Sequence, residues 1–363
     1  DINQNEVFTL AIKYSFFGIH HFTNCKQWTD IAFKNIINII NKYQSTFLSD
    51  QKSKLLSEKA IYLEKKIIPD DADVYIIGDI HSSIKSLIQI LKKFSFEHNI
   101  FENNDTFKLK KKNYIIFLGD MVDRGPFSIE ILIIISKLKL LNWDQVFIIN
   151  GNHEDKDTYS RYGFLDEMKY EVNENYNKNH IHTLLRLLPT AVFLKFNSDD
   201  KWYQLCHGGI DKHINPREFL NTSDSNKILI DVSKLQDKYN NGLKWSDFSN
   251  KQPYIIDSGR GVGYLYGPGA TKAYLEKNNI HSIISGHQDN VNLALLTEKD
   301  KSYFNKCDQY NLLCPKKDYI QEKILLNPEF GGDFLALITS TCTESRKLPY
   351  DSYLELSYKN ATF

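Results

Sequence analysis

YIIFLGDMVDRG, residues 114–125, decides how this sequence reads. Tyr114, Ile115, Ile116, Phe117 and Leu118 run straight into Gly119, and four of these five are β-branched or aromatic. An apolar run of that length, bounded by glycine, is a buried strand. Asp120, Asp123 and Arg124 therefore sit on a loop at the strand's C-terminal end, where open α/β sheets place their ligands. Two carboxylates and a guanidinium there point to a cation held beside a phosphate. For this motif alone, a solvated loop with an Asp–Arg pair is the alternative.

The same pattern recurs on both sides. Residues 74–77 form a strand signal that ends in Gly78, Asp79, Ile80 and His81. In extended backbone, positions i and i+2 point the same way, so Asp79 and His81 can share one cation. Ser82 and Ser83 then suit the cap of a helix whose apolar face is Ile84, Leu87, Ile88 and Leu91. Residues 146–149 lead into Asn150, Gly151, Asn152, His153 and Glu154. Residues 191–196 and 202–205 read as a hairpin whose second arm ends in Cys206 and His207. Residues 281–284 are a short strand ending in Ser285, Gly286 and His287.

Composition narrows the class. The chain has 363 residues, 42% hydrophobic and 25% charged, enough for one large domain or two small ones. Lys+Arg and Asp+Glu are both 45, so the basic excess of a general nucleic-acid binder is missing. No run approaches the roughly 18 apolar residues of a membrane span. Cys25, Cys206, Cys307, Cys314 and Cys342 are scattered and contain no CxxC, which favours reduced thiols in an intracellular compartment. The chain begins at Asp1, so a leader or tail removed before it would leave no mark.

Residues 1–70 read as a helical extension packed on a catalytic domain of residues 71–363. In residues 28–47 apolar positions recur at mixed spacings of three and four, and residues 52–66 continue the helix in a more polar register. Residues 159–170 read as a helix. His20 with His21, and His180 with His182, fit surface or packing roles better than metal ligation. Residues 288–330 read as an insertion with local hairpins, and residues 335–338 and 353–356 as closing strands. The glycine-rich run 259–269 holds Arg260 but lacks a full G-x-G-x-x-G after a strand, so it is no dinucleotide fingerprint.

Five strand ends thus carry Asp79 and His81, Asp120 with Asp123 and Arg124, Asn152 and His153, His207, and His287. The six metal-type donors, Asp79, His81, Asp120, Asn152, His207 and His287, mix oxygen and nitrogen. They suit two borderline divalent cations such as manganese, iron or zinc, with manganese favoured. Two such ions lie roughly 3.5–4 Å apart and need a bridging carboxylate, for which Asp120 is the central choice.

GDIH, GDMVDRG, GNHE, HGG, the Arg260–Gly261 pair and GHQ, in this order, resemble the phosphoprotein phosphatase family of metallophosphoesterases over residues 73 to about 358. The resemblance implies an α/β, calcineurin-like fold with a central β-sandwich flanked by helices. It implies one metal on Asp79, His81 and Asp120, and another on Asp120, Asn152, His207 and His287. Asn150, Ser82, the TSTCT stretch at 339–343 and the long segment after GHQ depart from the eukaryotic pattern. These departures put substrate range and toxin sensitivity in doubt. They are similar to effector phosphatases of Legionella of the WipA and WipB type, which would act inside a host cell.

The chemistry implied is hydrolysis of phosphomonoesters, phosphoserine and phosphothreonine favoured, by a water that the two cations activate. Arg124 and Arg260 would bind the phosphate. His153 would protonate the leaving oxygen, with Asp123 fixing its tautomer. For Arg260 a structural ion pair is the alternative, and Tyr162 could touch substrate or pack in the core. The partner is a phosphorylated protein, and a monomer is expected. Phosphotyrosine or dual specificity, and dinucleoside polyphosphate hydrolysis, use the same metal set. A non-catalytic interaction protein has no need of six ligands and a proton donor.

Overall fold

The computed structural model describes residues 26–45, 47–103, 106–171, 179–223, 225–235, 241–249, 251, 254–288, 293–297, 319–325, 334–339 and 351–357. Helix α1 (Lys26–Gln44) buries Ile36, Ile39, Ile40 and Tyr43 along one stripe, and α2 (Ser49–Leu56) buries Leu55. The next segment corrects the sequence reading. Ala60–Ile68 is a strand, β1, lying between β5 (Ala191–Phe196) and β7 (Lys227–Asp231). Glu64, Lys65 and Lys66 favour a helix locally, but successive apolar side chains alternate between two cores. Ile61 and Leu63 enter one core and Tyr62 the opposite one. Tertiary pairing overrides the helix propensity of the charged residues.

Strands β2 (Asp73–Ile77) and β3 (Asn113–Phe117) pair in parallel, and β4 (Val146–Ile148) extends them. Their side chains alternate between two cores. Val74, Ile76, Tyr114, Ile116 and Phe147 face an inner layer with Val192, Leu194, Tyr203, Leu205 and Ile284. Tyr75, Ile77, Ile115, Phe117 and Ile148 face an outer layer of helices. That layer includes α1, α3 (Ile84–Phe96), α4 (Ser128–Leu141), α5 (Lys156–Tyr162), α6 (Phe164–Glu171) and α7 (Asn179–Leu187). Residues 159–170 are thus two helices, because Gly163 takes a left-handed conformation at φ +116° between them. Tyr43 of α1 packs on Trp143 just after α4, ring centroids 4.9 Å apart.

The inner layer is the interior of a sandwich. One sheet has the order β13-β15-β2-β3-β4, with β13 (Tyr319–Leu325) and β15 (Asp351–Ser357). The other runs β12-β14-β11-β6-β5-β1-β7, with β6 (Trp202–Cys206), β11 (Ile280–Ser285), β12 (Leu293–Thr297) and β14 (Phe334–Thr339). The expected β5–β6 hairpin forms, antiparallel, and β14 and β15 supply the closing strands. β12 and β13 join the edges of the two large sheets, and the rest of the expected insertion, residues 289–292, 298–318 and 326–330, lies outside the described residues. A third small sheet, β8-β10-β9, covers the second sheet's outer face with α8 (Arg217–Asn221) and α10 (Pro268–Asn278); α9 (Gly242–Trp245) leads into it. Its strands are β8 (Asp247–Phe248), β9 (Ile255–Asp257) and β10 (Tyr264–Tyr266). His20, His21, Cys307, Cys314 and residues 340–343 lie outside the described residues. No described helix is long and apolar enough to cross a membrane.

Candidate metal centre

The C-terminal ends of β2, β3, β4, β6 and β11 converge at one end of the sandwich, and the strand-end residues meet there. Asp79, His81, Asp120, Asn152, His153, His207 and His287 are each at most 3% exposed. The loops are compressed around them. His81, Ser82, Asp120, Asp123, Arg124 and His287 all hold positive φ, between 45° and 72°. Such backbone costs of order 1–3 kcal/mol per residue and clusters at functional sites. Gly119, at φ +101°, lies so close to the β4 loop that a Cβ would stand 2.6 Å from the backbone of Gly151. A Cβ on Gly151 would strike Asp120 Oδ1, and one on Gly286 would strike Asp79 Oδ1.

Asp120 is the hub. Its Oδ2 lies 3.3 Å from His81 Nε2, and its Oδ1 lies 3.2 Å from His207 Nε2. His81 Nδ1 donates to Val122 O at 3.0 Å and His207 Nδ1 to Leu118 O at 3.1 Å, so both rings turn Nε2 inward. His207 Nε2 also faces Asn152 Oδ1 at 2.8 Å. Two donor triads follow, each within 4.8 Å: His81–Asp120–His153 and Asp79–Asp120–His207. Asp120 belongs to both. The first triad brings His153, expected as the proton donor, beside His81 and Asp120. His287 Nε2 and Asp79 Oδ2 are buried without a hydrogen-bond partner among the described residues. A set of imidazole nitrogens and carboxylate oxygens facing one another, with orphaned members, fits divalent cations of borderline character.

The charges respond to this crowding. Burial works to raise the Asp120 carboxyl, but His207 and His153 outweigh it and hold the group well below the usual range. Burial opposes the charge on His207, yet Asp120 overrides it and lifts the imidazole to about 9. Burial lowers His81, and burial with His207 lowers His287 further.

His153 stands at the rim of this hub. Its backbone N–H donates to Asp120 Oδ1 at 2.9 Å, and its Nδ1 lies 2.7 Å from Asp123 Oδ2. Asp123 is anchored in turn by the N–H of Phe164, donating to Oδ1 at 2.9 Å. Arg124 Nη2 donates to His153 Nε2 at 3.0 Å, and its guanidinium lies 5.9 Å from the ring of Tyr162. Tyr162 is half exposed and packs edge-on against His153, so it borders the site and is no core residue. Arg260 lies apart from these groups: its Nε donates to Asp247 Oδ2 at 3.0 Å. Asp247 Oδ1 is 3.9 Å from His287 Nε2, which places this ion pair at the centre's other rim. His180 is not in the site, and His182 bonds the Tyr159 hydroxyl, a packing role.

Sequence reasoning assigned no role to Glu154, Asp247, Asp155 or Lys244. Glu154 accepts from the N–H groups of Asp120 (2.9 Å) and Gly151 (2.7 Å) on Oε2, and of Met121 (2.8 Å) on Oε1. It stitches the β3 and β4 loops together. Its position three residues after Gly151, as in a capping box, was a readable signal. Buried Lys244 donates to Asp155 at 2.7 Å, tying the β4 loop to α9. Nothing local in the sequence announces that pair.

The family model for calcineurin-like phosphoesterases matches residues 72–289. This chain belongs to that family. Among curated proteins it is 29% identical over 270 residues to serine/threonine-protein phosphatase T of Aspergillus oryzae, covering 70% of this chain and 49% of that protein. It is 28% identical over 273 residues to phosphatase T of Saccharomyces cerevisiae, covering 74% and 48%. The same yeast's serine/threonine-protein phosphatase 4 catalytic subunit is 28% identical over 234 residues, covering 64% and 68%. The chain thus spans about half the length of the two phosphatase T relatives. A solved yeast serine/threonine phosphatase with similarity to human PP5 superposes with a TM-score of 0.57 at 18% identity, covering 94% of this chain and 86% of that one. That likeness carries the calcineurin-like phosphoesterase fold, an α/β sandwich of mixed sheets flanked by helices.

Proposed function

We propose that this calcineurin-like phosphoesterase is a metal-dependent phosphoprotein phosphatase, hydrolysing phosphomonoesters with phosphoserine and phosphothreonine favoured. One observation carries the reading: a single carboxylate, Asp120, is shared by two donor groups, with a guanidinium and a carboxylate-held imidazole at the rim. Two divalent cations bound by Asp79, His81, Asp120, Asn152, His207 and His287 would activate a water and draw charge from the phosphoryl oxygens. Manganese is our favoured pair, with iron or zinc also suited to the mixed donors.

The chain's own residues do the rest. Arg124 offers a permanently charged fork to the phosphate. When Arg124 turns to phosphate it leaves His153 Nε2, which then takes up a proton from solvent and passes it to the leaving oxygen. Asp123 holds Nδ1–H and so keeps Nε2 directed at that oxygen. Arg260 joins the phosphate from the opposite rim through the outer edge of its guanidinium, with Nε kept on Asp247. The substrate is a phosphorylated protein and the chain acts as a monomer. Cys206 is a buried free thiol, in keeping with a reducing compartment. Asn150 and Ser82, where eukaryotic members carry other residues, support an effector of the Legionella type that acts inside a host cell.

The test is a comparison of phosphoserine, phosphothreonine, phosphotyrosine and dinucleoside polyphosphate substrates with manganese supplied. The proposal expects phosphoserine and phosphothreonine peptides to have the highest kcat/KM. A preference for phosphotyrosine or for the dinucleotide would reassign the substrate, and no turnover of any of them would overturn the enzymatic reading.

A further inference from the structure

Ser82 lies buried on the loop after β2, between His81 and α3, and no step of the proposed chemistry uses it. Its backbone is left-handed, at φ +61°. Both of its backbone groups are engaged there: the N–H donates to Met121 O at 3.0 Å and the C=O accepts from Ile84 N–H at 2.9 Å. Glycine adopts this conformation freely, and asparagine and aspartate are the usual other occupants. A serine is therefore held against its preference, and an outlier of this kind beside a reactive centre points to a task for the side chain.

That side chain reaches the Asp123–Arg124 pair twice. Ser82 Oγ and Ser128 Oγ share a hydrogen bond at 2.5 Å, and Ser128 Oγ accepts the backbone N–H of Asp123 at 3.3 Å. Ser82 Cβ meanwhile lies against Gly125: a Cβ built on that glycine would stand 2.9 Å from it. Asp123 and Arg124, between these two contacts, are both left-handed, at φ +72° and +66°. Two successive residues stay in that region only where their surroundings over-determine them. Arg124 N–H donates to Tyr162 O at 3.1 Å and Phe164 N–H to Asp123 Oδ1 at 2.9 Å, so α5 and α6 supply part of the hold. Ser82 and Ser128 supply another part, from the β2 loop and the start of α4.

We propose that Ser82 is a positioning residue for proton transfer and phosphate binding: its hydroxyl, through Ser128, fixes Asp123 and thereby His153, and its Cβ fixes the backbone that carries Arg124. This role rests on the phosphatase reading and adds a residue that acts only through Asp123 and Arg124. The two atoms divide the work. The hydroxyl serves protonation of the leaving oxygen, since Asp123 Oδ2 holds His153 Nδ1 at 2.7 Å. The Cβ serves the phosphate clamp, since Gly125 follows Arg124 directly. A misplacement of about 1 Å can lower a rate about 10²-fold, so a smaller slip of either group should lower it about tenfold.

The experiment sets Ser82→Ala and Ser82→Gly beside the wild type, each loaded with manganese and assayed on a phosphoserine peptide and on p-nitrophenyl phosphate. Melting temperature and metal content are measured on all three. Alanine keeps the Cβ and the disfavoured backbone but loses the hydroxyl; glycine loses both atoms and is at ease at this φ. Stability and activity should therefore rank the two variants in opposite orders. Ser82→Gly should melt above Ser82→Ala. On the peptide, kcat of Ser82→Ala should fall about tenfold with KM near that of the wild type, and the loss should shrink on p-nitrophenyl phosphate, whose leaving group needs less protonation. Ser82→Gly should show the same fall in kcat and also a KM raised several-fold on both substrates, with metal content unchanged in both variants. Activities that follow the melting temperatures, or that fall equally on both substrates with KM unmoved, would make Ser82 a purely structural residue and overturn the proposal. Variants as active as the wild type would overturn it too, and so would variants that lose metal, by placing the effect on His81. A wild type that cleaves neither substrate would remove the phosphatase reading itself, and the role of Ser82 with it.

Discussion

His153→Asn isolates the proton-transfer step. The asparagine amide can take the place of Nδ1 and keep a hydrogen bond to Asp123 Oδ2, which the imidazole meets at 2.7 Å. It is too short to put any atom at Nε2, the atom that Arg124 contacts at 3.0 Å. The backbone N–H of residue 153 still reaches Asp120 Oδ1, so the metal donors keep their arrangement. The proposed acid and its contact with Arg124 are lost. General acid catalysis contributes about 10²–10⁴-fold, or about 2.7–5.5 kcal/mol of barrier. We expect kcat on a phosphoserine peptide to fall by an amount in that range, with metal content by elemental analysis unchanged. On p-nitrophenyl phosphate, whose leaving group is a far weaker base, the loss should shrink towards tenfold or less. Equal losses on both substrates, or a metal lost with the imidazole, would refute the acid role and make His153 a ligand, as its closeness to His81 and Asp120 permits.

Glu154→Ala leaves three buried N–H donors without an acceptor. At about 1–3 kcal/mol each, discounted because burial and Asp120 already push this carboxyl to about 7, urea unfolding should show a loss of about 2–5 kcal/mol. Metal affinity measured by calorimetry should fall about 10–100-fold, and an unchanged variant would make the carboxylate a spectator. Lys139 is buried against Trp143, Phe147 and Tyr43 and donates to the carbonyls of Trp143 and Val146 at 2.8 and 2.6 Å. Burial lowers its pKa to about 8, so above that pH the unfolded chain holds a proton that the folded chain has released. The wild type's unfolding free energy should therefore rise relative to Lys139→Met between about pH 8 and 10.5, by at most ~3 kcal/mol; a flat difference across that window would count against it.

The candidate residues that could be read from sequence are those that sit at strand ends. Asp79, Asp120, Asn152, His207 and His287 each follow an apolar run, and parallel strands deliver their C-terminal ends to one place. The strand signals at 74–77 and 114–118 were legible because both faces of those strands are buried, leaving no polar alternation to confuse them. β1 was not legible for the opposite reason. Its charges are satisfied only in three dimensions: Lys65 reaches the carbonyls of Phe219 and Thr222, and Glu64 accepts from the Tyr62 hydroxyl. The Asp247–Arg260 pair and the Asp155–Lys244 pair join segments 13 and 89 residues apart. Spacing along the chain carries no trace of such contacts, and residues 163–164 divide a helix only because Gly163 can adopt the left-handed turn.

In the proposed function Asp120 serves two cations at once. Metal content of Asp120→Asn, set beside that of the wild type after loading with manganese and removal of the excess, tests it most directly. The variant keeps the volume and one oxygen of the side chain but loses the charge that His207 and His81 both face. Two ions per wild-type chain are expected, and both sites should weaken together in the variant, with phosphopeptide hydrolysis abolished in parallel. One ion retained at wild-type affinity in Asp120→Asn would show that the two donor groups do not share this carboxylate, and would contradict the claim.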